Sequence, residues 1–199
     1  LGLTFFDVNV SQTTSLPYYF NLAQDKELTF TPVLNYGGGV DSSQRFIFDY
    51  NQIISGGTLN FDFQVDTTLE KENSDNWLQD GLLITNYEKN LNEKFKLKFN
   101  STLQTSNNYF QTTNPTNELS YASSLKTAVD LEGYNLNKID DKLYLNVSTY
   151  QVNQNNENNK NIPTVLPYFE YNTGNYVVLN NDTNHELQFY NIFRDKATD

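Results

Sequence analysis

Asp62 and Asp66 lie in a segment, Leu59-Asn60-Phe61-Asp62-Phe63-Gln64-Val65-Asp66, in which apolar and polar residues alternate. Two carboxylates on one strand face suggest glycoside hydrolysis. Four strand steps hold them about 13 Å apart, however, and glycosidase pairs sit about 5–9.5 Å apart. They therefore read as part of a polar face, with Gln64 between them. Lys94, Lys96 and Lys98 form a basic row of the same period, which could meet phosphates or be balanced by the acidic rows. Asp182-Thr183-Asn184-His185-Glu186 alternates oxygen ligands but lacks the glycine and distal glutamate of a calcium loop, so it reads as a polar turn. His185 is the single histidine and there is no cysteine, which excludes multi-His, thiolate and disulfide sites. Matches to the glycosylation pattern, such as Asn146-Val147-Ser148, are expected by chance in so Asn-rich a chain. No catalytic residue, metal or cofactor is expected, and the chain does not read as an enzyme.

The elements that position these residues must be strands. In 199 residues, hydrophobic residues reach 37% and charged residues 19%, yet aromatics reach 15%, with 14 Tyr and 14 Phe. Uncharged polar residues fill the gap, and this aromatic content argues against disorder. The net charge of −11 disfavours a nucleic-acid partner. No apolar run is long enough for a membrane-spanning helix. Leu59, Phe61, Phe63 and Val65 alternate with polar residues, as do Phe95, Leu97 and Phe99, and Leu143, Leu145 and Val147. Such alternation gives each strand one apolar and one polar face.

Turn chemistry breaks the strands at 21–26, 35–39, 55–57, 90–93 and 137–141, and longer polar breaks run over 69–79, 106–118 and 154–161. No periodic helix, repeat or domain linker is visible, so 1–199 reads as one region. The chain opens Leu1-Gly2-Leu3 without a signal-peptide pattern and reads as a piece of a longer chain. Strands predicted over 58–67, 94–105 and 142–152 exceed the usual ~5–6 residues of soluble strands. They match the ~9–11 residues that cross a bilayer when tilted. The fold class is thus an all-β antiparallel up-and-down meander, either part of a transmembrane barrel or a large soluble sandwich or solenoid. In a barrel, Asp62, Gln64, Asp66, Lys94, Lys96 and Lys98 face the lumen. Leu59, Phe61, Phe63, Val65, Phe95, Leu97 and Phe99 then face lipid, because Lys at the midplane of the lipid face costs about 2–4 kcal/mol.

Ser15-Leu16-Pro17-Tyr18-Tyr19-Phe20-Asn21-Leu22-Ala23, followed by Leu28-Thr29-Phe30-Thr31-Pro32, resembles the opening barrel strands of the LptD family of outer-membrane lipopolysaccharide-assembly proteins. Glu27 stands where that family more often has Asp. Gln44-Arg45-Phe46, Gly57-Thr58-Leu59, Ile162-Pro163-Thr164-Val165-Leu166-Pro167-Tyr168 and Arg194-Asp195 resemble later family segments in matching order, so the likeness spans nearly the whole chain. It implies the first several strands of a barrel of about 26 strands, without the family's periplasmic domain, disulfide cysteines or closing strands.

The resemblance implies transport and assembly of lipopolysaccharide at the cell outer membrane. The sugar part passes through a polar lumen, and the molecule leaves sideways through a weak seam into the outer leaflet. It further implies a plug lipoprotein, LptE, periplasmic bridge proteins and outer-membrane lipid as partners. Pro17 matches the family's second-strand gate proline; the first-strand counterpart falls near Gly2, whose freedom loosens a strand differently. On this reading the segment 3–10 pairs with 15–20 and leaves a bare outer edge. A porin or receptor barrel and a soluble carbohydrate-binding β-sandwich remain the alternatives.

Overall fold

Asn, Gly and Ser punctuate the chain so closely that each apolar-polar run can only fold back beside its neighbour. The computed structural model describes residues 12–36, 43–68, 78–137, 140–154, 159, 162, 164–179 and 181–193. Ten successive strands open the molecule and carry most of it: β1 (Gln12–Ser15), β2 (Tyr18–Ala23), β3 (Lys26–Tyr36), β4 (Ser43–Ile54), β5 (Gly57–Thr68), β6 (Leu78–Asn90), β7 (Phe95–Gln104), β8 (Ser124–Tyr134), β9 (Lys142–Val152) and β10 (Thr164–Asn172). A small hairpin, β11 (Tyr176–Val178) with β12 (Asn181–Thr183), precedes β13 (Glu186–Phe193).

The described residues form an antiparallel up-and-down sheet of 11 strands, in the order β1-β3-β4-β5-β6-β7-β8-β9-β10-β13, with β2 also on β3. Among the described residues the path is open at both ends, and no described strand pairs the first edge to the last. The ends of β2, β4, β6, β8 and β10 and the starts of β3, β5, β7, β9 and β13 lie at one end of the sheet, which carries the short turns at 24–25, 55–56 and 91–94; the opposite strand termini, with the described part of the long connection 105–123, lie at the other.

Close backbone approach explains the glycines of the 55–56 turn. Gly56 adopts φ +78, and a Cβ on Gly57 would sit 1.8 Å from the Glu88 carbonyl oxygen of β6. Gly57→Ala must push β5 from β6 and is expected to cost about 1–3 kcal/mol. The denaturation midpoint reads it, and an unchanged midpoint would show that this approach carries no constraint.

Several sequence expectations change. The Lys94 strand start is corrected to Phe95: the Asn92 side-chain oxygen accepts from the backbone N–H of Lys94 at 2.8 Å and of Phe95 at 2.9 Å, holding Lys94 in a turn. The polar break at 106–118 contains a short helix, α1 (Tyr109–Thr113), and its continuation a 3-10 turn (Glu118–Tyr121). Asp182 and Thr183 belong to β12, opposite Val177 and Tyr176, where a polar turn was expected. Pro167 lies in β10 at a register shift between Val165 and Tyr168, as proline requires within a sheet. Gly2 and the segment 3–10 lie outside the described residues. Ser15 and Tyr18–Ala23 pair with β3 on one side, and β1 and β2 are the outermost described strands there.

Candidate functional site

The pairing registers sort side chains onto two faces. Leu59 lies opposite Tyr87, which lies opposite Phe99, so Leu59, Phe61, Phe63 and Val65 share a face with Phe95, Leu97 and Phe99. Leu131, Val129, Leu145, Val147 and Phe169 continue that face. Across all the described paired strands it carries charge only at Lys26 and Lys89, both beside the short-turn end. Tyr18, Phe30, Phe48 and Phe63 run across β2 to β5 as neighbouring rings, with centroids 6.4, 4.8 and 6.1 Å apart. Phe63, Val129 and Val147 are each 44% exposed, so no layer of the described chain covers this apolar face.

The opposite face holds the charge. Asp62 lies opposite Asp49, and Gln64 donates to Asp62 at 3.2 Å. Asp66 accepts a bidentate pair from Arg45, at 2.7 and 3.0 Å. The two aspartates of the suggested catalytic pair are thus held by different partners. Lys96 reaches Glu88 and Lys98 reaches Glu132, both at 2.5 Å. The Lys94 ammonium instead donates to the Leu136 carbonyl at 3.0 Å, off the strand row. Asp130 accepts from Tyr144 and Asn146. The row of lysines is therefore a balanced face rather than an open cationic strip.

At the long-connection end of this face sits α1. Phe110 (0% exposed) and Tyr109 pack with Leu82 and Leu125, and Ile84 joins them. The Arg45 guanidinium lies 5.9 Å from the Tyr109 ring centroid, and burial pushes the Tyr109 hydroxyl above its ordinary pKa. The segment fits here because β7 and β8 pair only from Phe95 opposite Gly133 to Asn100 opposite Ala128. Beyond that point side chains take over: Ser101 and Thr127 share a hydrogen bond at 2.9 Å, and Gln104 and Gln151 exchange side-chain-to-backbone bonds at 2.9 and 2.6 Å. The Gln104 side chain also donates to the Val152 carbonyl and accepts from the Phe110 N–H, each at 2.8 Å.

Two prolines meet where β1 and β2 join β3. β1 and β2 pair with β3 in one register, Ser15 opposite Val33 and Tyr18 opposite Phe30, but the ladder breaks at Leu16 and Pro17. Leu16 N–H still donates to the Pro32 carbonyl at 3.3 Å. In an antiparallel ladder that makes Leu16 and Pro32 a bonded pair, so Pro32 withholds the return donor to Leu16. Alternation then turns the position of Pro17's absent N–H away from β3, toward the outer side of β2. Pro17 was singled out by the sequence; Pro32 was not, because its meaning depends on the register that sets it opposite Leu16.

The arrangement is a single-layer antiparallel sheet with one charge-bearing face, one nearly charge-free aromatic face and a proline-broken edge. Compared with known proteins, the chain matches no family model and no curated protein sequence.

Proposed function

We propose that this chain forms part of the wall of a transmembrane β-barrel in the outer membrane and takes part in delivering lipopolysaccharide to the outer leaflet. The separation of charge between the two faces carries the barrel reading. An apolar face with charge only at its turn-proximal margin suits hydrocarbon, and the paired polar face suits a watery lumen. Strands such as β6 (Leu78–Asn90, 13 residues) are long enough to cross a bilayer. The lipopolysaccharide reading rests on the resemblance around Pro17 and is supported by the broken edge. A seam short of donors opens more readily, letting the acyl part leave sideways while the sugar part stays in the lumen. LptE and periplasmic bridge proteins are the proposed partners. The work is mechanical: no residue is assigned a chemical step.

Pro17→Ala in the full-length protein tests this reading. The restored N–H points away from β3, toward the strand that pairs there in the closed barrel, and is worth ~0.5–1.5 kcal/mol net. If seam opening limits the rate, surface delivery of lipopolysaccharide should slow roughly 2–10-fold with barrel assembly intact. Normal delivery by an assembled variant would remove the gate and favour a solute-passing barrel or receptor. A soluble sandwich would instead need a second layer over the aromatic face and should fold without detergent.

A further inference from the structure

One row on the polar face is made almost wholly of asparagine. Asn21 lies opposite Glu27, Glu27 opposite Asn51, Asn51 opposite Asn60, Asn60 opposite Asn86, and Asn86 opposite Asn100. Six consecutive strands thus present one side chain each at a single level, spaced ~4.8 Å apart by the sheet. Asparagine is disfavoured in strands, so local propensity does not explain the row. Mutual bonding within it is confined to Asn51, which donates to Glu27 at 3.2 Å. Among the described residues, the amides of Asn21, Asn60, Asn86 and Asn100 hold no side-chain hydrogen bond and stay exposed. Two open hollows lie along it. One, about 220 Å³, is lined by Asn21, Glu27, Asn51 and Asn60 with Asp25 and Lys26; the other, about 230 Å³, by Asn86 and Asn100 with Glu88 and Lys98, so carboxylates accompany each cation.

We propose that this row is a binding track for a neutral, hydroxyl-rich saccharide chain lying across the strands. A side-chain amide offers both donors and an acceptor, which matches sugar hydroxyls that both give and take hydrogen bonds. The row itself holds no cation and one carboxylate, so it disfavours phosphate. A peptide adding as a strand would need an edge, whereas Asn51, Asn60 and Asn86 sit in strands paired on both sides. Assigning the saccharide to the sugar part of the transported glycolipid rests on the lipopolysaccharide reading; the binding itself rests on the row.

The test is a titration of the full-length protein, folded in a detergent without a sugar headgroup, with maltohexaose, inorganic phosphate and lipopolysaccharide. Maltohexaose should bind saturably and phosphate should not. Losing two amides in Asn60→Ala with Asn86→Ala should weaken maltohexaose binding about tenfold, with circular dichroism unchanged. Asn60→Ser with Asn86→Ser, which keeps short hydroxyls, should fall between, and it carries the test if the alanine pair fails to fold. Lipopolysaccharide binding weakened by the same substitutions identifies a glycolipid headgroup as the source. Row-dependent binding of maltohexaose alone identifies a free glycan and leaves the track standing while the transport reading falls. Absent maltohexaose binding, equal binding of phosphate, or an unchanged affinity in a folded variant overturns the proposal.

Discussion

Phe63→Lys in the full-length protein should cost about 2–4 kcal/mol when the protein folds into lipid, the penalty of a cation on the lipid face near the midplane. The substitution falls in the middle of β5, where Phe63 lies opposite Phe48 and Leu83 on the aromatic face. Its neighbour at the same level supplies the control. Asp49→Lys sets a cation opposite Asp62 on the other face, replacing a like-charged pair with an opposite-charged one. That change should be neutral or stabilising by ~0.2–1 kcal/mol. Denaturant titration of the folded fraction in liposomes measures both. Equal losses from the two substitutions would mean that the faces do not see different surroundings, and the lipid assignment would go.

Phe110→Ala should undo the docking of α1. The side chain is fully buried against Leu82, Tyr109 and Leu125, and truncating a buried Phe costs about 3–5 kcal/mol. A helix as short as Tyr109–Thr113 has no stability of its own. The contact of Arg45 with the Tyr109 ring, ~0.5–2 kcal/mol, is too small to hold the segment alone. Hydrogen exchange should therefore rise over 105–123 while the paired core of β4 and β5 stays protected. Unchanged protection at the Phe110 N–H, which donates to Gln104, would show that the glutamine contacts and not the apolar cluster hold the segment.

The strands were legible because their period is local. Leu143, Leu145 and Val147 alternate without needing any partner, and β9 spans the expected 142–152. The docked segment was not legible, since Tyr109 and Phe110 are two aromatics in a polar run and only Leu82 of β6 and Leu125 of β8, distant in sequence, give them a core. Lys94 shared the period of Lys96 and Lys98, and a side-chain cap from Asn92 overrode it. The proline edge was half legible. Pro17 stands out in any strand reading, but which way its absent donor points follows from a register that no single segment encodes. The asparagines were visible as composition alone; their alignment exists only across six strands.

The split edge also has a memory. β2 is tied to β3 by the 24–25 turn, whereas β1 holds the far half of β3 with no turn of its own. Peeling of β1 can stop at the proline while Tyr18 stays opposite Phe30. Because β1 and β2 share one register, the retained half indexes the released half, and reclosure needs no search among slipped alignments. If the edge opens as proposed, it can return to the same pairing, as a hinge-backed flap does and a free strand does not.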